Sequence, residues 1–398
     1  MAAETYEVRL SDELLEDLNR RLVNARFPQD FNNDDWGYGV NGEYLRELVD
    51  YWINDYDWRA IEREINAFDN YRAEIQGIPI HFIHARGKGP NPKPLILSHG
   101  WPWCFWDFHE LIGPLTDPAA HGGDPNDCFD VILPSLPGFG LSAPHSVPGI
   151  NYWRTADIWA ELMTEVLGYD RFFAHGGDWG NLITAQLGHK YADKVTAIHI
   201  TGAIPLTVLA DTGGTSLLGQ RATTPEQAAR NPDLIETSLL RPRPTSAHAV
   251  VQVNEPQTLS YAMHDSPVGL CAWILDRRYW WSDNDRGPRA VEQAFSKDHL
   301  LTLMMLYWAT GAFVTSTRYY AEVVKNPWRP SHDRTPIVEA PTGITFLAHD
   351  MTSQGRGWTE EYYNLVWTRA RDRGGHFAAA EVPREIVADI REMFRPYR

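Results

Sequence analysis

The chain has 398 residues, a net charge of −16 and three cysteines. The negative charge disfavours binding to nucleic acids and to anionic membrane surfaces, which are themselves negatively charged. Cys104, Cys128 and Cys271 are too few and too scattered for a disulfide framework or a zinc site, and no metal-ligating histidine motif occurs. Neither an export signal nor a long apolar segment is evident. We therefore expect no metal, cofactor, nucleic-acid partner or membrane anchor, and a cytoplasmic location.

The N-terminal part is predicted to be helical. Leucines recur every four residues over 14–22, after a Ser-Asp pair that offers an N-cap. A second helical stretch, residues 44–68, is broken around residues 55–57. No strand pattern occurs before Ile78, so residues 1–75 are expected to form an N-terminal helical extension.

From Ile78 onward, apolar strand-like runs alternate with helical stretches. This order is typical of a mostly parallel sheet covered by helices on both faces. The strand pattern stops near residue 205 and resumes at residue 342, with helix-compatible sequence between. The predicted fold is therefore α/β, with a core in two parts (76–204 and 336–398) and a helical lid (205–335). The predicted strands cover residues 78–85, 94–100, 129–140, 171–177, 195–201 and 342–350.

The sequence Gly-Gly-Asp-Trp-Gly, residues 176–180, follows a predicted strand and precedes a predicted helix. This small-x-nucleophile-x-small pattern is typical of the nucleophile elbow of α/β hydrolases, a tight turn that exposes one side chain above the sheet. The exposed residue here is Asp178. An ordinary helix N-cap is the alternative role for an aspartate at this place.

Two further residues complete the chain order of nucleophile, acid and histidine that the α/β-hydrolase fold requires. Asp350 ends the predicted strand TGITFLAHD, and His376 follows two glycines and precedes a terminal helix. The motif HGWP, residues 99–102, directly follows another strand. We expect the backbone N–H groups of Trp101 and Trp179 to form an oxyanion hole.

An aspartate nucleophile restricts the chemistry. Aspartate is ionised at neutral pH, so it attacks without a base. Its attack on an ester or amide would give an unstable anhydride, whereas its attack on an sp³ carbon gives a stable alkyl ester. The substrate is therefore expected to be an epoxide or an alkyl halide. His376, oriented by Asp350, would activate the water that hydrolyses the ester.

With these motifs the chain resembles the microsomal-type epoxide hydrolases over nearly its whole length. The resemblance implies an α/β-hydrolase fold with an N-terminal extension, and it implies Asp178 as nucleophile with Asp350 and His376 as the charge-relay pair. It also marks the chain as similar to the bacterial members, which lack the membrane anchor of the mammalian ones. The matching blocks are YDWRAIEREINAF, IPIHFIHARG, HGWP, LPSLPGFGLS, GGDWGNL, DSPVGLCAWIL, LYWATGAF, TRYYAE and RGGHFAAAEVP.

In this family, two lid tyrosines donate hydrogen bonds to the epoxide oxygen. Tyr320 matches one of them, with its neighbour Tyr319 as the alternative register. The position of the other tyrosine is occupied by His248. Either His248 or Tyr261 would then replace the second donor, unless one tyrosine suffices.

The leading hypothesis is an epoxide hydrolase that acts on a small, apolar or aromatic epoxide. A haloalkane-type dehalogenase would use the same aspartate and histidine, with the indole N–H groups of Trp101 and Trp179 holding the halide. A catalytically inactive binding protein of the same fold is the third alternative. The sequence leaves the particular epoxide, the regiochemistry and the oligomeric state open, including a homo-oligomer.

Overall fold

The computed structural model of the chain describes residues 2–207, 247–350 and 358–398. Nine strands of these residues form one sheet in the order β1-β2-β3-β5-β4-β6-β7-β8-β9. The six strands from β5 to β9 in this order are parallel, and β1, β2 and β3 pair in antiparallel fashion at one edge. The strands are β1 (Glu4–Thr5), β2 (Asn70–Ile75), β3 (Ile78–Ala85), β4 (Lys93–Ser98), β5 (Phe129–Pro134), β6 (Phe172–Gly176), β7 (Val195–Thr201), β8 (Val338–Leu347) and β9 (Tyr363–Arg371).

The expected α/β fold is confirmed by this sheet. Every residue of β5 and of β6 is buried. Such complete burial explains why these strands have continuous apolar sequence rather than alternation. Parallel strands also align their carboxyl ends at one edge, where α/β proteins place functional groups.

The expectation that no strand precedes Ile78 was wrong. The strand Asn70–Ile75 pairs with Ile78–Ala85 through a two-residue turn at Gln76 and Gly77, both with positive φ. Turns of this kind match the twist of a hairpin. The first of these strands is half polar (NYRAEI), so the tertiary pairing rather than an apolar pattern makes it a strand.

Helices cover the sheet and build the region between β7 and β8. The first helix has Ser11 as its N-cap, and the break expected at residues 55–57 separates the second helix from the third. The α-helices are α1 (Asp12–Val23), α2 (Gly42–Asn54), α3 (Trp58–Asn66), α4 (His109–Thr116), α5 (Tyr152–Glu161), α6 (Trp179–Lys190), α7 (Ala247–Asn254), α8 (Pro256–Asp265), α9 (Pro267–Trp281), α10 (Lys297–Trp308), α11 (Ala312–Lys325), α12 (Thr359–Tyr362), α13 (Ala378–Glu381) and α14 (Pro383–Phe394).

Part of the expected lid, residues 208–246, lies outside the described residues. The proposed division of the chain into extension, core and lid stays a prediction. Within the described ranges, no single helix has both the length and the apolar character needed to cross a membrane. Only α10 and α11 taken together do, and a bend of 78° separates them.

The N-terminal extension packs against the lid helix α9 through Trp36. Its indole ring is fully buried and stacks on Tyr279 with ring centroids 4.0 Å apart and planes 2° from parallel. The indole N–H donates to the carbonyl oxygen of Pro288 at 3.1 Å. Stacked aromatic pairs add to the stabilisation from buried area, so this contact fixes one end of α9 on the extension.

A buried ion pair joins α9 to the loop after β4. Arg278 donates to both carboxylate oxygens of Asp107, at 2.7 and 2.9 Å, and both side chains are fully buried. Arg278 also donates to the carbonyl oxygen of Pro102 at 2.8 Å, and His299 lies 3.0 Å from Asp107. Burial alone would raise the pKa of Asp107, but the Arg278 charge and these hydrogen bonds hold it well below its usual value.

We predict that Arg278→Met lowers the free energy of unfolding by about 3–5 kcal/mol, because it leaves the Asp107 carboxylate buried without its cation. Urea unfolding would measure the change. Arg289→Met is the matched control, since Arg289 pairs with Glu47 at an exposed site and such pairs contribute little. Equal effects of the two substitutions would contradict the cost assigned to a buried Asp107 carboxylate without its cation.

Candidate active site

The turn between β6 and α6 holds Asp178 in a strained conformation. Its φ is 55° and its ψ is −123°, which a residue with a side chain rarely adopts. Such strain is common at functional sites, where the surrounding structure enforces it. Gly180 permits the turn, because a Cβ atom there would collide with the backbone carbonyl of Ser98 at the end of β4.

Asp178 occupies the N-cap position of α6, yet its side chain makes no capping hydrogen bond. Its carboxylate is held by two other groups. The Trp101 backbone N–H donates to Oδ1 at 2.7 Å, and His376 Nε2 lies 3.2 Å from Oδ2. The alternative of a simple helix cap therefore does not describe this side chain.

The two amides expected to form the oxyanion hole lie at the carboxyl ends of neighbouring strands. Trp101 follows β4 by three residues, and its N–H already points at a carboxylate oxygen of Asp178. Trp179 is the first residue of α6, so its N–H belongs to the helix start, where amides lack intrahelical acceptors. The positive end of the helix dipole lies there as well and favours negative charge.

His376 links the two carboxylates of the site. Its Nδ1 lies 3.0 Å from Oδ1 of Asp350, and Asp350 and His376 are both buried. Burial alone would lower the pKa of His376, but the hydrogen bonds and negative charges of Asp178 and Asp350 raise it to about 9. The structure thus brings together the nucleophile, acid and histidine positions that the sequence predicts.

Aromatic rings enclose the space beside Asp178. The Tyr320 ring stands edge-on to Trp179 at 4.7 Å and to Trp101 at 5.9 Å. His248 stacks on Trp101 at 4.9 Å and stands perpendicular to Tyr320 at 5.5 Å. Burial, followed by the charge of Asp178, raises the pKa of Tyr320 well above its usual value. His248 and Tyr320 therefore lie on the same side of the site.

The alternative lid residues make different contacts. The ring of Tyr319 also meets Trp179 edge-on, at 5.3 Å, but its hydroxyl bonds with Thr155 at 2.8 Å and its ring packs on Phe139. Tyr261 is 73% exposed on the outer face of α8. Tyr320 and His248 thus belong to the ring cluster around Trp101, whereas Tyr261 is exposed to solvent.

Sequence reasoning missed a lid residue that contacts the histidine. The Trp281 carbonyl accepts the backbone N–H of His376 at 2.8 Å, and the two rings meet edge-on at 5.2 Å. Trp281 also contacts His248 at 4.8 Å. The only sequence feature that pointed to Trp281 was the aromatic run YWW at the end of α9, and such a run is equally typical of a core helix.

Comparison with known proteins agrees with this geometry. Residues 3–108 match the family model of the epoxide hydrolase N terminus, and residues 93–307 match that of the alpha/beta hydrolase fold. A relative from Stigmatella aurantiaca is 38% identical, over 99% of this chain and 85% of its own length. Epoxide hydrolase 1 of Oryctolagus cuniculus is 33% identical, over 97% of this chain and 87% of its own.

A solved structure shares the whole architecture. The juvenile hormone epoxide hydrolase of the silkworm Bombyx mori superposes with a TM-score of 0.79 at 26% identity, covering 100% of this chain and 94% of that chain. Fold and sequence similarity over nearly the full length agree. The chain belongs to the epoxide hydrolase family of the α/β-hydrolase fold.

Proposed function

We propose that this epoxide hydrolase forms a covalent alkyl ester on Asp178 and hydrolyses that ester with a water activated by His376. The observation that carries the proposal is the placement of the Asp178 carboxylate. It lies at a strained turn, 2.7 Å from the Trp101 amide and 3.2 Å from His376. A carboxylate so placed attacks without a base, and the amide and the histidine serve the ester that follows.

The first half-reaction opens the ring. An oxygen of Asp178 bonds to one epoxide carbon while that carbon's bond to the ring oxygen breaks. The ring oxygen leaves as an alkoxide and takes a proton from Tyr320, whose raised pKa keeps the phenol protonated. The imidazolium of His376 then returns a proton to the Tyr320 phenolate. The products are a hydroxyalkyl ester, a neutral histidine and a neutral tyrosine.

The second half-reaction cleaves the ester. Neutral His376 takes a proton from a water, whose oxygen attacks the ester carbonyl carbon, while Asp350 stabilises the imidazolium that forms. The carbonyl oxygen becomes an oxyanion beside the N–H groups of Trp101 and Trp179. Collapse expels the diol alkoxide, which takes the histidine proton. The Asp178 carboxyl proton then passes to His376, which restores the starting state.

His248 is proposed as the second donor to the epoxide oxygen. The support is its position: it stacks on Trp101 and stands 5.5 Å from the Tyr320 ring, on the same side of Asp178. A histidine ring nitrogen can donate one hydrogen bond, as a tyrosine hydroxyl does.

The proposed substrate is an apolar or aromatic epoxide, because indole and phenol rings enclose the space beside Asp178. A cytoplasmic location is also proposed, and its support is that Cys104, Cys128 and Cys271 are free and buried. Homo-oligomer formation stays a prediction.

Dehalogenation is the second candidate activity. The indole N–H groups of Trp101 and Trp179 are buried. That of Trp101 has no acceptor in the described part of the chain, and that of Trp179 interacts with the Tyr320 side chain, so both could donate to a halide. Assays of halide release from brominated alkanes and of diol formation from epoxides would distinguish the dehalogenase activity from the epoxide hydrolase activity. We expect diol formation to dominate.

We predict that His376→Gln accumulates the ester. Ring opening needs no base, so this variant should give about one covalent adduct per site and then stop. Intact-protein mass spectrometry with an epoxide that the wild type hydrolyses would measure the adduct. Asp178→Ala is the control and should give neither adduct nor diol while remaining folded. An unmodified His376→Gln protein would refute the two-step proposal.

We predict that Tyr320→Phe slows alkylation by about 10²- to 10⁴-fold, equivalent to about 3–5 kcal/mol, and changes ester hydrolysis little. Stopped-flow quenching of tryptophan fluorescence would time alkylation, since Trp101 and Trp179 flank the nucleophile. Tyr319→Phe is the matched control, and it should not slow alkylation relative to ester hydrolysis. An unchanged alkylation rate in Tyr320→Phe would reject its role as donor.

The proposed role of His248 is tested with two substitutions. His248→Phe should slow alkylation by less than Tyr320→Phe does, because one donor remains. His248→Tyr restores the tyrosine pair of the family and should recover or exceed the wild-type alkylation rate. If His248→Phe alkylates as fast as the wild type, Tyr320 acts alone.

We predict that ester hydrolysis rises with pH through an apparent pKa below 9. His376 acts as a base only when neutral, and the pKa of about 9 depends partly on the Asp178 charge, which the ester removes. The pKa of His376 should therefore fall on alkylation. Single-turnover decay of the ester, measured between about pH 6 and 10, gives the profile. A midpoint at or above 9 would contradict this link.

A further inference from the structure

The loop that carries His376 has an acceptor for each of its four consecutive backbone N–H groups. Two of the acceptors belong to a single side chain, Glu381, and the other two belong to the lid. The four hydrogen bonds run from Gly374 to Asp283 Oδ2 (2.9 Å), from Gly375 to Glu381 Oε2 (2.9 Å), from His376 to the Trp281 carbonyl (2.8 Å) and from Phe377 to Glu381 Oε1 (2.8 Å).

Glu381 therefore holds the backbone on both sides of the histidine. It is the last residue of α13, and its carboxylate turns back over the start of that helix. The same carboxylate accepts the Asp283 backbone N–H at 2.7 Å, which ties it to the lid. Hydrogen bonds to an ionised acceptor are about twice as strong as neutral ones, so the three amides favour the ionised form of Glu381 over the protonated one. Burial raises the pKa of Glu381 to about 7, while the three amides lower it.

The loop also lies too close to the lid to move independently. A Cβ atom at Gly375 would lie 2.6 Å from the Trp281 carbonyl oxygen and 2.7 Å from the Asp283 nitrogen. Only glycine fits at such a separation between two backbones. A shift of the loop would therefore require a shift of the lid segment from Trp281 to Asp283.

From these contacts we propose that Glu381 is a positioning residue for the hydrolytic half-reaction. The proposal rests on the proposed function, in which His376 is the base for water. His376 Nδ1 must stay on Asp350 while Nε2 faces the ester, and the amides that Glu381 holds fix the backbone from which this ring projects. Bond exchange in ring opening uses Asp178 and Tyr320, which lie outside the loop. His376 acts in that half-reaction only afterwards, when it returns a proton to Tyr320, so Glu381 should have little effect on the alkylation rate.

The test separates the two half-reactions in Glu381→Ala and Glu381→Gln. We expect ester hydrolysis to slow about 10- to 100-fold in Glu381→Ala, because a displacement near 1 Å can cost about 10²-fold. Alkylation should change less than about threefold, so the covalent ester should accumulate. Glu381→Gln keeps one acceptor oxygen, so its loss should be smaller. If Glu381→Ala does not fold, the isosteric Glu381→Gln carries the test.

Glu385→Gln on α14 is the matched control and should leave both rates unchanged. Equal slowing of both half-reactions in the Glu381 variants, or wild-type hydrolysis in Glu381→Ala, would overturn the positioning role. Intact-protein mass spectrometry keeps the two hypotheses apart. An adduct in His376→Gln with normal hydrolysis in the Glu381 variants rejects only this inference, whereas no adduct in His376→Gln rejects the covalent mechanism itself.

Discussion

The active site depends on the hydrogen bond from the Trp101 amide to the carboxylate of Asp178. It joins the carboxyl ends of two neighbouring parallel strands, β4 and β6. The chain at Asp178 takes a positive φ, and the side chain makes no capping hydrogen bond to its own helix. In the proposed mechanism, the same amide holds the carbonyl oxygen of the ester, so the contact that orders the free carboxylate would also serve the second step.

The lid helix α9 holds two of the segments that form the site. The last turn of α9 holds Pro102 and Asp107 through Arg278, and it holds the His376 backbone through the Trp281 carbonyl. The Trp36 ring of the N-terminal extension stacks on Tyr279, in the same turn of α9. Burying an ion pair costs much desolvation energy, so the Arg278–Asp107 pair adds little net stability. Its contribution is to orientation, because the planar guanidinium group fits only one arrangement of the loop and the helix.

The protonation of His376 depends on the charge of Asp178. The pKa of His376 is raised to about 9 partly because Asp178 carries a charge 3.2 Å away. In the proposed mechanism, the alkyl ester removes the charge of Asp178. Formation of the intermediate would then lower the pKa of His376 and prepare it as the base for the next step, without a conformational change.

The sequence by itself determined the parallel sheet, the elbow at Asp178 and the chain order that ends in His376, because these depend on local pattern and on the order of elements. Only the tertiary structure decided which lid side chains face the aspartate. Tyr319 and Tyr320 are neighbours on one helix, and both rings contact Trp179. Packing places the Tyr319 hydroxyl against Thr155 and the Tyr320 ring against Trp101. Contacts between segments far apart in the chain, such as those of Asp283 with the histidine loop, leave no local pattern. Their positions depend on burial and on hydrogen-bond satisfaction over the whole fold. The pattern of neighbouring residues does not carry that information.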